Sequence, residues 1–257
     1  MKLRKIFPVA MLLLLSCATA DTVEYTQSES ASSLLNNISL INNNAPSYYD
    51  MTFTIEGLLN NQKYKLTGNA QLDAKLDLIC LSLTDFIFKS PISTMFGNNN
   101  EIIMYFPPEK KLFKYKKSSF DLKTLWGINL DYEIIRILAS CKIPLIADYK
   151  ARESSAPADD NTSYLILENK RYYETISFKN NMPDKIKIID KNDRSETEFH
   201  LLAAKKYDES VIYRKISVLS KKLNFDISIN SIKINTPVKV KTINDIKIPA
   251  DVVSMSR

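Results

Sequence analysis

Between Tyr64 and Leu78 the chain alternates in a fixed phase. Tyr64, Leu66, Ala70, Leu72, Ala74, Leu76 and Leu78 fall on one side, and Lys65, Thr67, Asn69, Gln71, Asp73, Lys75 and Asp77 on the other. A period of two is that of a β-strand, whose successive side chains point to opposite faces. One apolar and one wet face specify an antiparallel sheet solvated on one side. A flat strand of this length would span ~50 Å, so the segment must bend, break near Asp73 or wrap around a curved sheet.

The same period recurs along the chain. Met51, Phe53 and Ile55 alternate with Thr52, Thr54 and Glu56, and further runs cover "EIIMYF", "KLFKYKK", Tyr164 to Leu167, Tyr172 to Phe178, Ile186 to Ile189, Thr197 to Leu201, Val211 to Leu219 and Leu223 to Ile229. Only four glycines occur, so the turns between these runs fall to Asn60-Asn61, Asn98-Asn99-Asn100, Asn180-Asn181, Pro107-Pro108 and Asn192-Asp193, because asparagine tolerates the left-handed backbone of tight turns. About ten to eleven strands in serial hairpins are expected, with no internal repeat of the kind that builds solenoids.

Three segments break the period. "SSLLNNISLINN" sets Leu34, Leu35, Ile38 and Ile41 at helical spacing behind Ser32 or Ser33 as cap. "SSFDLKTLWG" reads as a short helix closed by Gly127, and "NLDYEIIRILASCKIP" as another, with Ile134, Ile135 and Leu138 on one face and Pro144 beyond its end. "DYKARESSAPADDNTS" reads as a polar loop.

The N-terminus carries export signals. Lys2, Arg4 and Lys5 precede an apolar stretch from Ile6 to Leu15, which as a helix reaches about 15 Å, half of a ~30 Å bilayer core, and so reads as a signal peptide rather than a span. Two cleavage sites compete: Ala18-x-Ala20, which releases a soluble chain at Asp21, and Leu14-Leu15-Ser16 before Cys17. The second resembles the lipobox of bacterial lipoproteins, in which the cysteine is acylated and becomes the mature N-terminus. Residues 1–16 are therefore expected to be a lipoprotein signal peptide, 17–33 a lipidated Cys17, bearing an acyl group such as palmitate, with a flexible Ser/Thr-rich tether reaching roughly 20 Å, and 34–257 a single domain.

Composition narrows the function classes. The formal charge is +6, and three of those charges leave with residues 1–16, an imbalance too small to argue for a nucleic-acid partner. Cys80 and Cys141 remain beside Cys17, and either one disulfide or two buried thiols fits an oxidising compartment. No phosphate-binding glycine loop, nucleophile elbow or Ser-His-Asp order is visible, so no enzyme and no cofactor is expected. His200, the one histidine, shares a strand face with Glu196 and Glu198; a solvated face predicts that pattern without a metal, and none is assigned.

Several segments together resemble the LolA/LolB-type family of bacterial lipoprotein-localisation factors. "YDMTFTIEG" is similar to its first strand, "LDLICLSLTD" to its third, "EIIMYFPPEKKLFKY" to a proline-turned hairpin and "NMPDKIKIID" to a strand of its second half. "INLDYEIIRILASCKIP" with "SIKINTPVKV" is most similar to the LolB side, although Ser140-Cys141 stands where a glycine often closes the helix. The resemblance implies an α+β fold, a curved antiparallel sheet forming an unclosed half β-barrel with helices over its concave face. It also implies a carrier of acyl chains or acylated lipoproteins, a soluble LolA-like carrier as donor, and an outer-membrane anchor facing the periplasm through Cys17.

A carrier of this kind needs apolar lining rather than a catalyst, since each methylene withdrawn from a bilayer costs ~0.8 kcal/mol. The expected lining is Phe53, Ile55, Leu66, Leu72, Leu76 and Leu78 on the sheet, with Trp126, Ile134, Ile135 and Leu138, and also Leu34, Leu35 and Ile38, in the lid. An ordinary sealed core predicts the same residue types. Phe86, Ile87 and Phe88 precede Ser90-Pro91, where a turn is normally polar; they either form a membrane-insertion loop, as the resemblance implies, or complete a buried hairpin. Lys110, Lys111, Lys114, Lys116 and Lys117 fit either contacts to lipid headgroups or guards of a sheet edge against aggregation, the commoner role, and no site is assigned to them. A sensory binding module of the same fold and a surface adhesin or antigen remain alternative functions.

Overall fold

The computed structural model describes residues 31–59, 62–117, 120, 132–154, 162–221 and 223–256. The leader, Cys17 and the tether up to residue 30 lie outside them, as do Asn60-Asn61, Trp126 and the expected helix over 118–127 apart from Phe120. Its elements are α1 (Ala31–Asn43), β1 (Tyr48–Leu59), β2 (Gln62–Asp73), β3 (Leu78–Asp85), β4 (Pro91–Gly97), β5 (Glu101–Phe106), β6 (Lys111–Lys116), α2 (Tyr132–Ala139), β7 (Lys150–Ser154), β8 (Thr162–Glu168), β9 (Tyr172–Lys179), β10 (Met182–Asp190), β11 (Glu196–Tyr207), β12 (Ser210–Ser220), β13 (Leu223–Ile234) and β14 (Val253–Ser256).

All fourteen strands join one sheet in the order β14-β6-β5-β4-β3-β2-β1-β13-β12-β11-β10-β9-β8-β7. Each pairing is antiparallel except that of β14 with β6. The two serial hairpin runs meet where β1 pairs with β13, from Tyr49↔Ile234 to Leu59↔Leu223. The ends, β14 and β7, do not pair with each other, so the curved sheet is an unclosed half-barrel. Register shifts at Thr52/Phe53, Leu83/Thr84 and Pro183/Lys185 supply local bends.

The long alternating run breaks at Asp73. Its carboxylate accepts the backbone N–H groups of Lys75 at 3.0 Å and Leu76 at 3.1 Å, and Asp77 takes a left-handed φ of 50° to start β3. Asparagine does the same elsewhere: Asn180 and Asn181 both adopt positive φ, Asn98 accepts the N–H groups of Asn100 and Glu101, and Asn169 accepts those of Arg171 and Tyr172. A short polar side chain thus supplies the turn bond and tolerates the turn backbone.

Three strands exceed the expected number. β4 begins at Pro91, read as turn; β7 lies in the segment read as a polar loop; β14 is a four-residue edge strand. Edge strands take their register from the neighbour they join, so β7 on β8 and β14 on β6 need no apolar alternation of their own.

Both helices lie against the concave face. Leu34, Ile38 and Ile41 of α1 are buried in one core with Ile102, Met104, Leu165, Ile176, Phe178, Ile186 and Phe199, and Tyr132 and Ile134 of α2 join it. A second cluster, Tyr49, Met51, Phe53, Ala70, Leu72 and Ile79, covers β1 to β3. On the convex side, the segment before β14 buries Val240 over Cys80, Phe96, Ile103, Tyr105 and Leu112. β14 then covers the outer edge of β6, so the edge carrying the lysine cluster is paired rather than merely charged; Lys110 and Lys111 bind Asp251 and Glu109 at 2.6 and 2.8 Å.

Candidate functional site: an apolar cavity beneath helix α2

The two concave clusters do not merge completely. At the β1–β13 seam, under the C-terminal half of α2, they leave a cavity of about 190 Å³. Its floor is Met51, Phe53 and Ile55 of β1 with Phe225, Ile227 and Ile229 of β13. Phe199, Leu201, Tyr213 and Val218 form a wall from β11 and β12, and Ile135, Leu138, Ala139 and Cys141 form the roof. Lys142 is the one charged residue of the lining described.

The floor holds together because small residues leave room for large ones. The Phe53 ring lies over Gly68, its register partner on β2; a Cβ there would stand 2.1 Å from the ring. The roof is held by few polar contacts. Tyr49, wholly buried, donates its hydroxyl proton to the carbonyl of Ala139 in the last turn of α2, at 2.6 Å. Arg136 donates to Asp77 and to Glu133, each at 2.7 Å, and Lys117 meets Glu133 at 2.7 Å. Burial opposes the charge on Glu133, but the hydrogen bonds from Lys117 and Arg136 outweigh it and hold the carboxyl below its ordinary range.

Helix α2 ends in paired bonds from Cys141 N–H to the Leu138 carbonyl at 3.0 Å and from Lys142 N–H to the Ile137 carbonyl at 3.1 Å. This closing geometry needs one left-handed residue, usually glycine; Cys141 fills that place with φ 58°, which explains how Ser140-Cys141 closes the helix. Burial pushes the Cys141 thiol up to about 12. Both Cys80 and Cys141 are free thiols, the first on the convex side and the second in the cavity roof, which leaves the two-thiol alternative.

Beyond α2 the chain is tied to α1 and β9. The Asn42 side chain exchanges two hydrogen bonds with Ile143, at 2.9 and 2.7 Å, and the buried Glu174 accepts the Ile146 N–H at 2.9 Å. Among the described residues its other carboxyl oxygen has no hydrogen-bond partner, and burial raises this carboxyl to about 8.

The expected lining residues separate into distinct places. Phe53, Ile55, Ile135 and Leu138 line the cavity. Leu66 is half-buried beside Ile55, and Leu72 is buried in the β1–β3 cluster. Leu76 is 63% exposed in the β2–β3 turn, and Leu78 packs on the convex side near Cys80. These two are corrections with one cause: Asp73 pairs with Leu78 and Leu72 with Ile79, and opposed residues share a face, so the inward set changes from even to odd numbers across the hairpin. Ile134 points into the larger core, as do Leu34 and Ile38, with Leu35 packed against it. The β11–β13 wall is not legible in the sequence, because alternation alone does not say which face of those strands points inward.

Phe86, Ile87 and Phe88 form the turn between β3 and β4, with Ile87 76% and Phe88 81% exposed. The buried-hairpin alternative therefore fails. Asp85 rigidifies the turn by accepting the N–H groups of Ile87 at 2.8 Å and Phe88 at 2.7 Å. Ile55 pairs with Leu66, which pairs with Asp85, so the cavity floor lies two strand spacings, about 10 Å, from the base of this turn. His200 contacts Glu198, which also meets Lys185 at 3.3 Å, and Glu196 pairs with Lys187 at 2.8 Å.

Among the described residues no helix is long and apolar enough to cross a membrane. No protein-family model and no curated protein sequence matches the chain. Solved structures do match. A Vibrio parahaemolyticus domain named for outer membrane lipoprotein sorting aligns with TM-score 0.60 and 11% identity, covering 84% of this chain and 97% of its own. A LolA superfamily protein from Nitrosomonas europaea aligns with TM-score 0.56 and 10% identity, over 82% and 96%. A DUF1329 family protein from Desulfovibrio piger aligns with TM-score 0.61 and 9% identity, over 82% and 96%.

Proposed function

We propose that this chain, which has the fold of the LolA superfamily, is a non-enzymatic exported bacterial lipoprotein that takes acyl chains or acylated lipoproteins into the cavity beneath α2 and helps deliver them to the outer membrane. The observation that carries this reading is the lining: aliphatic and aromatic side chains from both halves of the sheet, gathered under a helix held by a handful of polar contacts. A cavity lined this way gains ~0.8 kcal/mol for each methylene it accepts.

Its size bears on mechanism. A cavity of 190 Å³ exceeds the ~150 Å³ apolar cavity that accepts benzene, yet falls below the ~300–1,000 Å³ of ordinary ligand sites. It accommodates a short alkyl segment in this conformation, so a full acyl chain requires α2 to lift. The strand ladder of β1 and β13 stays as the floor while the contacts of Tyr49, Arg136 and Asn42 yield. The turn at Phe86, Ile87 and Phe88 serves in this reading as the contact with the receiving membrane, and Cys17, acylated, as the anchor.

Mass spectrometry of the chain purified from membranes tests the reading. It predicts acylated lipoprotein or lipid bound in stoichiometric amount, and loss of metabolic acyl labelling in Cys17→Ser. Normal lipoprotein sorting after depletion of the chain would contradict the delivery role.

A further inference from the structure

Successive hairpins place every second turn at one end of the sheet. The turns after β1, β3, β5, β8, β10 and β12 therefore form one rim. Phe86, Ile87 and Phe88 project from it, and exposed Leu58, Tyr173 and Leu219 lie within one or two residues of its turns. On the opposite rim the one such side chain described is Leu76.

The charges of this rim are uneven in kind. The acids at its hairpin turns are engaged: Glu56 with Lys65, Glu109 with Lys111, Glu168 with Lys191, Asp190 with Arg171, Glu196 with Lys187; Asp148, just before β7 at the same end, is exposed. Asp85 and Asp193 accept backbone N–H groups of their own turns. Lys63, Lys89, Lys170, Arg194 and Lys221 are exposed on the same rim, and among the described residues none of them has a carboxylate partner. Lys65 and Lys89 hold their ammonium groups 4.2 and 4.7 Å from the centre of the Phe86 ring, so cations flank the base of the apolar turn.

We infer that this rim is a docking surface for an anionic phospholipid bilayer, a deepening that rests on the reading of the Phe86–Phe88 turn as a membrane contact. Three apolar side chains at a rigid tip enter the headgroup region, while long side chains carry their charges back to the phosphates. Basic side chains within a Debye length of an anionic surface are drawn to it. A protein partner fits less well, because lysine is depleted from protein–protein contacts. The arrangement also sets orientation: the floor of the cavity, one hairpin from the turn, stands over the membrane that the turn enters.

The test places an environment-sensitive fluorophore on Ile87→Cys in the chain from residue 17 onward, with Cys17, Cys80 and Cys141 replaced by Ala, and titrates vesicles of phosphatidylcholine alone or mixed with phosphatidylglycerol. A blue shift at far lower lipid concentration with the anionic vesicles is expected. Changing Lys63, Lys89, Lys170, Arg194 and Lys221 to Gln should weaken that binding by about tenfold or more and leave phosphatidylcholine binding unchanged. Equal titration of both vesicles, or an unchanged titration in the Gln variant, overturns the anionic-lipid assignment while the turn remains a membrane contact. No shift with either vesicle overturns both.

Discussion

The ring of Phe53 occupies the space that a side chain at position 68 would need: a Cβ on Gly68 would stand 2.1 Å from Phe53 Cζ. Gly68 is therefore part of the cavity floor without touching its interior. In Gly68→Ala the ring must move, and the open side is the cavity. The expected result is a loss of ~1–3 kcal/mol of stability, read from urea unfolding, with a larger fractional loss in affinity for a fluorescent acyl probe. Unchanged probe affinity would place the acyl site elsewhere.

Removing the Tyr49 hydroxyl leaves the Ala139 carbonyl without that bond. Tyr49→Phe should cost about 1–3 kcal/mol, the range for an orphaned buried group. Hydrogen exchange should accelerate in α2 more than in β1, because the aromatic ring still packs on the strand side. Uniform acceleration would mean that the hydroxyl supports the whole sheet rather than the roof.

Asp77 and Arg136 join the β2–β3 turn to the exposed side of α2. Both are partly solvated, so the pair contributes modestly to global stability, but it spans the part expected to move. Asp77→Asn should speed acyl-probe association by several-fold with a change in stability below about 1 kcal/mol. Stopped-flow binding at low and high salt checks this, since screening should produce the same acceleration in the native chain.

Glu174 gives a pH dependence with a definite sign. Burial raises its carboxyl to about 8 in the folded chain, well above the ~4.3 of an unfolded glutamate. The folded state thus favours the protonated form. Stability from this group is fully present below the unfolded value, declines as pH rises, and is lost above about 8. Glu174→Gln, which keeps the amide oxygen for the Ile146 N–H, should flatten that decline in thermal unfolding between those limits; an equally steep decline in the variant would assign it to other groups.

What the sequence made legible follows physical locality. Alternation exposed the antiparallel sheet, and the apolar spacings of α1 and α2 exposed helices that do cover the concave face. The inward set across the β2–β3 hairpin was not legible from period alone, because Ala74 to Asp77 continue the apolar–polar rhythm through a turn. The available signal was Asp73, a short carboxylate able to accept the N–H groups two and three residues on. β7 and β14 carry little pattern because their neighbours specify them. The cavity depends on the pairing of β1 with β13, nearly two hundred residues apart at Tyr49↔Ile234, a contact that no local spacing encodes.

The central claim is that an acyl chain lies between α2 and the β1–β13 floor. Photo-crosslinking with a palmitoyl probe carrying a diazirine near the chain end, mapped by peptide mass spectrometry, addresses it directly. The account predicts saturable adducts on Ile135, Leu138 and the inward residues of β1 and β13, competed by unlabelled palmitoyl chains. Adducts confined to the convex-side residues around Val240, or labelling that does not saturate, would contradict it.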